Sequence, residues 1–176
     1  MNTKTAINTK TLVIVALFVA LSFVGAQIRI FGTIAFDSLA GFLAALLLGP
    51  VYGAAIGFLG HLFTAMTAGF PLSVPLHLVI AGTMALAMYG FGITYRIASK
   101  TCSQAPALTI AGVAGIILNG PVSLAFSIGA LWLMAGREAA LGLLALLPIL
   151  TLAALANIAL SIMIFKSLEK VWNKII

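Results

Sequence analysis

Long apolar segments follow one another along almost the whole chain, and they restrict its fold more than any motif does. Hydrophobic residues make up 63% of the 176 residues, and charged residues only 7%. A domain folded in water needs more polar side chains than this to cover its surface, so a soluble protein is excluded. A helix that spans the hydrocarbon core of a bilayer needs about 20 mostly apolar residues. The sequence therefore predicts an all-α integral membrane protein, a compact bundle of six transmembrane helices at most.

Glycine, proline and polar residues between the apolar segments predict where the helices begin and end. Pro50 suits the first residue of a helix, so Gly49-Pro50 separates the second segment from the third. The second segment has to start near residue 33, since residues 38–49 alone would form only about 18 Å of helix. Asn119-Gly120-Pro121 predicts an irregularity within the long fifth segment. In a single membrane domain over residues 1–176, we expect helices at 11–26, 33–49, 51–68, 76–97, 107–135 and 139–168.

The distribution of lysine and arginine predicts the orientation in the membrane, because short cytoplasmic loops are enriched in both. With six spans and a cytoplasmic N-terminus, only Arg29 and Arg137 fall outside. Both termini are then cytoplasmic, and they stay so if the second and third segments form a re-entrant pair. This topology accounts for the net charge of +6, since no basic run or aromatic platform indicates nucleic-acid binding. The basic residues predicted to lie inside are Lys4, Lys10, Arg96, Lys100, Lys166, Lys170 and Lys174.

Several classes of function lack the residues that they need. The sequence contains no HExxH motif, no glycine-flanked serine with a plausible histidine partner and no GxxxxGK[ST] phosphate loop. Cys102 is the single cysteine, so neither an intramolecular disulfide nor a cysteine metal cluster is expected. A cleaved secretory signal ending near Ala26 is disfavoured because apolar segments continue to the C-terminus. We predict no cofactor, no metal and no catalytic residue, and any ATP-driven step would need another subunit.

Unusual residues are concentrated between Phe36 and His77. Asp37 is either an acid at a helix start, favoured by the helix dipole, or a contact to a polar ligand. His61 lies about ten residues into the third segment, near the bilayer centre, where its ring needs a partner. That partner is either a ligand or an interhelical amide from Asn119 or Asn157. His77, at the outer start of the fourth segment, is either a cap or a ligand contact.

Four further residues belong to the same outer half or lie at membrane depth. Thr64 shares the outward side of the His61 face, although its hydroxyl can also bond back to its own helix. Asn119 either fills backbone groups freed by the proline or lines a cavity. Phe70 can stack on a flat ligand or seat its loop in the interface, and Trp132 suits an interfacial anchor. Together these residues predict an outward-facing small-molecule pocket. The predicted substrate-binding residues are Asp37, His61, Thr64, Phe70, His77, Asn119 and Trp132.

Small residues predict close helix contacts. Gly53 and Gly57 form a GxxxG pair that Gly60 extends, and this spacing lets helix backbones approach one another. Ala16 and Ala20 form a similar flat strip in the cytoplasmic half of the first helix.

The sequence resembles the substrate-binding membrane subunit, or S component, of energy-coupling factor transporters, which import vitamins and related micronutrients into bacteria. The block FDSLAGFLAALLLGPVYGAAIGFLGHL, residues 36–62, is typical of that family. Ala16-Leu17-Phe18-Val19-Ala20 matches its AxxxA motif, which implies that Ala16 and Ala20 dock on a transmembrane coupling subunit that works with two ATPase subunits. The resemblance also implies a multi-pass protein of the bacterial cell membrane. It further implies that residues 27–33, with Arg29, Phe31 and Gly32, form a lid over the ligand.

The sequence resembles S components for alpha-ribazole, a benzimidazole nucleoside precursor of cobalamin, and also those for pantothenate. Aromatic residues with His, Asn and Asp suit a flat base and a sugar, while few outer basic residues disfavour a carboxylate. Two other classes remain open at this point: an intramembrane enzyme that uses His61 with Asp37 or Asn119, and a structural subunit of some other complex.

Overall fold

The computed structural model describes residues 9–30 and 34–175, and these residues are almost entirely helical. A short antiparallel hairpin follows the first helix, with Arg29 paired to Ala35 and Ile30 paired to Ile34. The elements in chain order are α1 Thr9–Gln27, β1 Arg29–Ile30, β2 Ile34–Ala35, α2 Asp37–Leu47, α3 Pro50–Thr67, α4 Val74–Ala98, α5 Gln104–Ile117, α6 Ser123–Ala135, α7 Arg137–Gly142 and α8 Leu147–Ile175.

The α2 helix begins later than the sequence predicts. Ile34–Ala35 forms β2 instead of helix, and the Phe36 N–H donates to the Gly25 carbonyl at the end of α1, 3.2 Å away. The start predicted at residue 33 was therefore wrong, because residues 34–36 pair with the preceding segment. The resulting α2 has 11 residues, about 16 Å of helix.

Fewer helices than predicted are long and apolar enough to cross a membrane. In the described part of the chain there are four: Thr9–Gln27, Val74–Ala98, Gln104–Ala135 and Arg137–Trp172. The second and third predicted spans correspond to α2 and α3, which pair across the Gly49-Pro50 break. Pro50 is at the start of α3, as the sequence predicts.

The fifth and sixth predicted helices are both irregular. Leu118–Val122 forms a π-helical turn between α5 and α6, with Pro121 inside it, so the predicted irregularity is confirmed. Proline lacks an N–H and disturbs the regular hydrogen-bond ladder at this point. The predicted helix 139–168 is instead divided into α7, a 3₁₀ turn at Leu143–Leu146 and α8.

Glycines bring α2 and α3 into close contact, as their spacing predicts. A Cβ on Gly53 would lie 2.6 Å from the Ala45 Cβ and 2.9 Å from the Gly41 carbonyl oxygen. The next two glycines of α3 face other helices. A Cβ on Gly57 would meet the Met88 sulfur of α4, and one on Gly60 would meet the Ser22 hydroxyl of α1.

Next to this contact, aromatic residues fill the centre of the bundle. Phe42 and Phe91 are fully buried and meet edge to face, with ring centroids 5.1 Å apart.

One end of the bundle joins the two terminal helices. The Trp172 indole N–H donates to the Leu47 carbonyl at 3.2 Å, and its ring meets Phe18 edge to face at 6.4 Å. Arg96, near the end of α4, packs at the α2–α3 break and would touch a Cβ on Gly49. The C-terminal ends of α2, α4 and α8 meet here, so the opposite end of the bundle holds the starts of α2 and α4.

Candidate functional site

A cavity of about 310 Å³ lies toward the end of the bundle where α2 and α4 begin. Its walls come from β2, α2, α3, α4, α6 and α8 and from the turns next to them, and most of the lining surface is apolar. Leu76, Ile80 and Met84 contribute one apolar wall along α4. The polar residues that line the cavity are Asp37, Ser38, His61, Thr64, His77, Asn119, Ser123, Ser127 and Asn157.

Five of the seven residues predicted to bind substrate line this cavity: Asp37, His61, Thr64, His77 and Asn119. The other two do not line it. Phe70 lies just behind it, with its ring edge-on to His77 at 5.8 Å. Trp132 is 54% exposed on the outer surface of α6, while its neighbour Leu131 packs inward.

His61 and His77 form a short chain of polar contacts across the cavity wall. The His77 Nε2 atom lies 2.9 Å from the Pro71 carbonyl oxygen, and the His77 Nδ1 atom lies 3.1 Å from the His61 Nε2 atom. The His61 Nδ1 atom faces the Asp37 carboxylate at 3.7 Å. The side chains of His61 and Asp37 are only 12% and 11% exposed.

His61 therefore bonds to His77, so the alternative of a bond to Asn119 or Asn157 was wrong, while the alternative of a ligand contact stays a prediction. The register of α3 against α4 decides this, because it places His61 beside the first turn of α4. The Asn157 amide is instead turned toward β2 and its own helix.

The Pro71 carbonyl fixes the direction of hydrogen bonding along this chain. A carbonyl oxygen only accepts, so His77 Nε2 carries a hydrogen. In a neutral His77 ring Nδ1 is then the acceptor, and His61 Nε2 donates to it. The distance of 3.7 Å from His61 Nδ1 to Asp37 is longer than a hydrogen bond.

The histidine chain also anchors the loop between α3 and α4. Phe70 and Leu72 both have positive φ angles, 50° and 73°, which side chains other than glycine adopt at a cost. The bond from His77 to the Pro71 carbonyl lies between these two residues. Pro71 and Leu72 line the cavity, so this loop is part of the site.

Thr64 combines both of the roles considered for it. Its hydroxyl donates to the Gly60 carbonyl one turn earlier at 2.9 Å, and the residue also lines the cavity.

A second pair of hydroxyls connects α4 to α6 beside the cavity. The Thr83 and Ser123 hydroxyl oxygens are 2.7 Å apart.

Asn157 was not predicted as a binding residue, yet it lines the cavity and is 1% exposed. Its Nδ2 atom donates to the Ala35 carbonyl at 3.1 Å and to the Ala153 carbonyl at 2.9 Å. Its Oδ1 atom is buried without a hydrogen-bond partner. An amide in the middle of the last apolar segment was the sequence signal that could have identified it.

The structure describes part of the predicted lid and both alanines of the predicted docking strip. Arg29 belongs to β1, whereas Phe31 and Gly32 lie outside the described residues. Ala35, at the end of the hairpin, lines the cavity. On α1, Ala16 and Ala20 are exposed, while Phe18 between them is buried.

A family comparison decides what kind of protein carries this cavity. The profile of the family described as "ECF transporter, substrate-specific component" matches residues 10–169. The chain belongs to this family. It is thus a multi-pass membrane subunit that binds a small-molecule substrate and works with an ECF module, and it is not an enzyme. The comparisons with curated proteins and with solved structures gave no match.

Proposed function

We propose that this S component binds alpha-ribazole in the 310 Å³ cavity and delivers it to an ECF module for import across the bacterial plasma membrane. The observation that supports this most is the cavity itself, in which Asp37, His61 and His77 meet beside apolar walls. Pockets for small molecules are typically concave and mostly apolar, with a few convergent polar groups, and start at about 300 Å³.

The chemistry of the lining suits a flat base joined to a sugar. The apolar residues along α4 can hold a benzimidazole ring, while carboxylate, imidazole and amide groups can bond sugar hydroxyls. Pantothenate carries a carboxylate, which is usually held by Arg or Lys. Neither residue type is among the lining residues whose side chains are described.

The strip of Ala16 and Ala20 is the proposed docking surface for the transmembrane coupling subunit of the module. Both alanines are exposed on α1, so a partner helix can approach its backbone closely. They lie toward the end of the bundle where Trp172 packs on Phe18, which we place at the cytoplasmic face. The cavity then lies in the outer half, with both termini cytoplasmic.

Titration calorimetry on the purified protein tests the substrate. We expect alpha-ribazole to bind tightly and pantothenate to bind weakly or not at all. Tight binding of pantothenate with no binding of alpha-ribazole would overturn the choice of substrate.

A further inference from the structure

The amide of Asn157 has a fixed orientation. Its nitrogen lies within hydrogen-bond distance of two carbonyl oxygens, those of Ala35 and Ala153. Carbonyl oxygens accept only, so the amide group that faces them has to be the NH₂. Rotating the amide by half a turn would place Oδ1 against both carbonyls. The two contacts therefore assign the Oδ1 atom as the group that still needs a partner.

A buried acceptor without a donor is unusual in a folded protein. Oδ1 of Asn157 has no hydrogen-bond partner, although the residue is 1% exposed and lines the cavity. Nearly all buried polar atoms are paired, and each exception calls for a physical explanation. A hydrogen-bond donor on a molecule bound in the cavity supplies that explanation, because it satisfies Oδ1 only when the site is occupied.

The charge of the cavity points to the same kind of molecule. Asp37 is the acid among the lining residues whose side chains are described, and no lysine or arginine is among those residues. His77 is bonded on both ring nitrogens, and His61 lies between His77 and Asp37. An anion placed here meets a carboxylate in a poorly screened interior.

We propose that Asn157 is a specificity-determining residue: its Oδ1 atom accepts a hydrogen bond from an O–H or N–H group of the ligand. The ligand is an uncharged or cationic molecule that carries such donors, and phosphorylated or carboxylated forms of it are rejected. This inference rests on the proposed function, because it assumes that the cavity is the substrate site. It adds which protein atom accepts a hydrogen bond from the ligand and what charge the ligand carries.

The donor is tested by combining protein variants with altered ligands. The probes are alpha-ribazole and a series of its methyl ethers, each with one sugar hydroxyl converted to methoxy. Asn157→Leu has nearly the same size but no amide, and we expect about tenfold or greater loss of alpha-ribazole affinity. One methyl ether should bind the wild-type protein about tenfold more weakly and bind Asn157→Leu no more weakly than alpha-ribazole does.

Ser161→Ala is the matched control. Ser161 is fully buried on α8 one turn after Asn157, bonds to the Ile158 carbonyl and is not among the lining residues. It should leave every affinity within about twofold of wild type. If Asn157→Leu fails to fold, Asn157→Ala removes the same acceptor with a smaller side chain, and the methyl ethers on wild type still test for a required donor.

The charge is tested with alpha-ribazole and its 5′-phosphate, which differ in one group. We expect the phosphate to bind about 100-fold more weakly or worse, because its charge repels the Asp37 carboxylate.

Equal affinity for the two compounds would overturn the charge assignment. Equal losses for every methyl ether in wild type and Asn157→Leu would make Asn157 merely structural and overturn its role. If wild type binds none of the probes, the proposed function fails, and this inference fails with it.

Discussion

Two glycine-to-alanine variants test whether close helix packing forms the cavity walls. A Cβ on Gly53 would lie 2.6 Å from the Ala45 Cβ and 2.9 Å from both the Ala45 Cα and the Gly41 carbonyl oxygen. Carbon atoms pack best at about 3.5–4.0 Å, so α2 and α3 have to separate by about 1 Å. Gly82 on α4 has nothing within 4 Å of its Cβ position and is the matched control.

The expected magnitudes follow from these contacts. Overpacking costs about 1–3 kcal/mol, and alanine favours a helix over glycine by about 1 kcal/mol. Gly53→Ala should therefore lose about 1 kcal/mol of unfolding free energy, whereas Gly82→Ala should gain up to about 1 kcal/mol. For a chain of this size, 1 kcal/mol shifts the melting temperature by about 2–4 °C. The two variants should differ by about 6 °C.

Thermal unfolding of the protein in detergent, followed by intrinsic fluorescence, measures this difference. Because α2 carries Asp37 and α3 carries His61, separating the helices should also weaken ligand binding in Gly53→Ala and leave it unchanged in Gly82→Ala. Equal melting temperatures for the two variants would refute the close packing of α2 on α3.

Three further substitutions test separate parts of the account. His77→Phe keeps a ring but removes the contacts to His61 and Pro71, so alpha-ribazole affinity by calorimetry should fall about tenfold; an unchanged affinity would contradict a role for the histidine chain. Trp132→Ala should change that affinity less than about twofold, because Trp132 is 54% exposed and does not line the cavity; a large loss would place it in the site. Ala16→Trp should prevent copurification with the ECF module and abolish uptake without changing ligand affinity, whereas Leu133→Trp, at a residue that is 90% exposed on α6, should copurify normally. Normal copurification of Ala16→Trp would show that this strip is not the docking surface.

The helices could be predicted because their limits depend on local chemistry. The Gly49-Pro50 break and the proline at 121 each change the backbone only within a few neighbouring residues, and each apolar segment forms its own helix. The hairpin could not be predicted, because Ile34–Ala35 is an apolar pair that also suits a helix. It is a strand because it pairs with Arg29–Ile30, and α2 is shorter as a result.

Much of the candidate cavity lining could be predicted, because a polar side chain within a membrane-spanning segment needs a polar partner. Asp37, His61 and His77 have to meet one another or a ligand, so they converge on one cavity. The bond between His61 and His77 depends on the register of α3 against α4, which sequence does not reveal. Trp132 does not line the cavity, because the rotation of α6 turns Leu131 inward and leaves the indole exposed, which suits the alternative of an interfacial anchor.

The central claim is that the cavity binds a micronutrient for import, and the most direct test is to identify what the protein carries. Mass spectrometry of small molecules released from protein purified out of its native host provides that test. We expect a benzimidazole nucleoside in about one-to-one ratio with the wild-type chain, and a much smaller amount from Asn157→Leu. Protein that carries no small molecule, and that binds none in a panel of vitamins and nucleosides, would contradict the account.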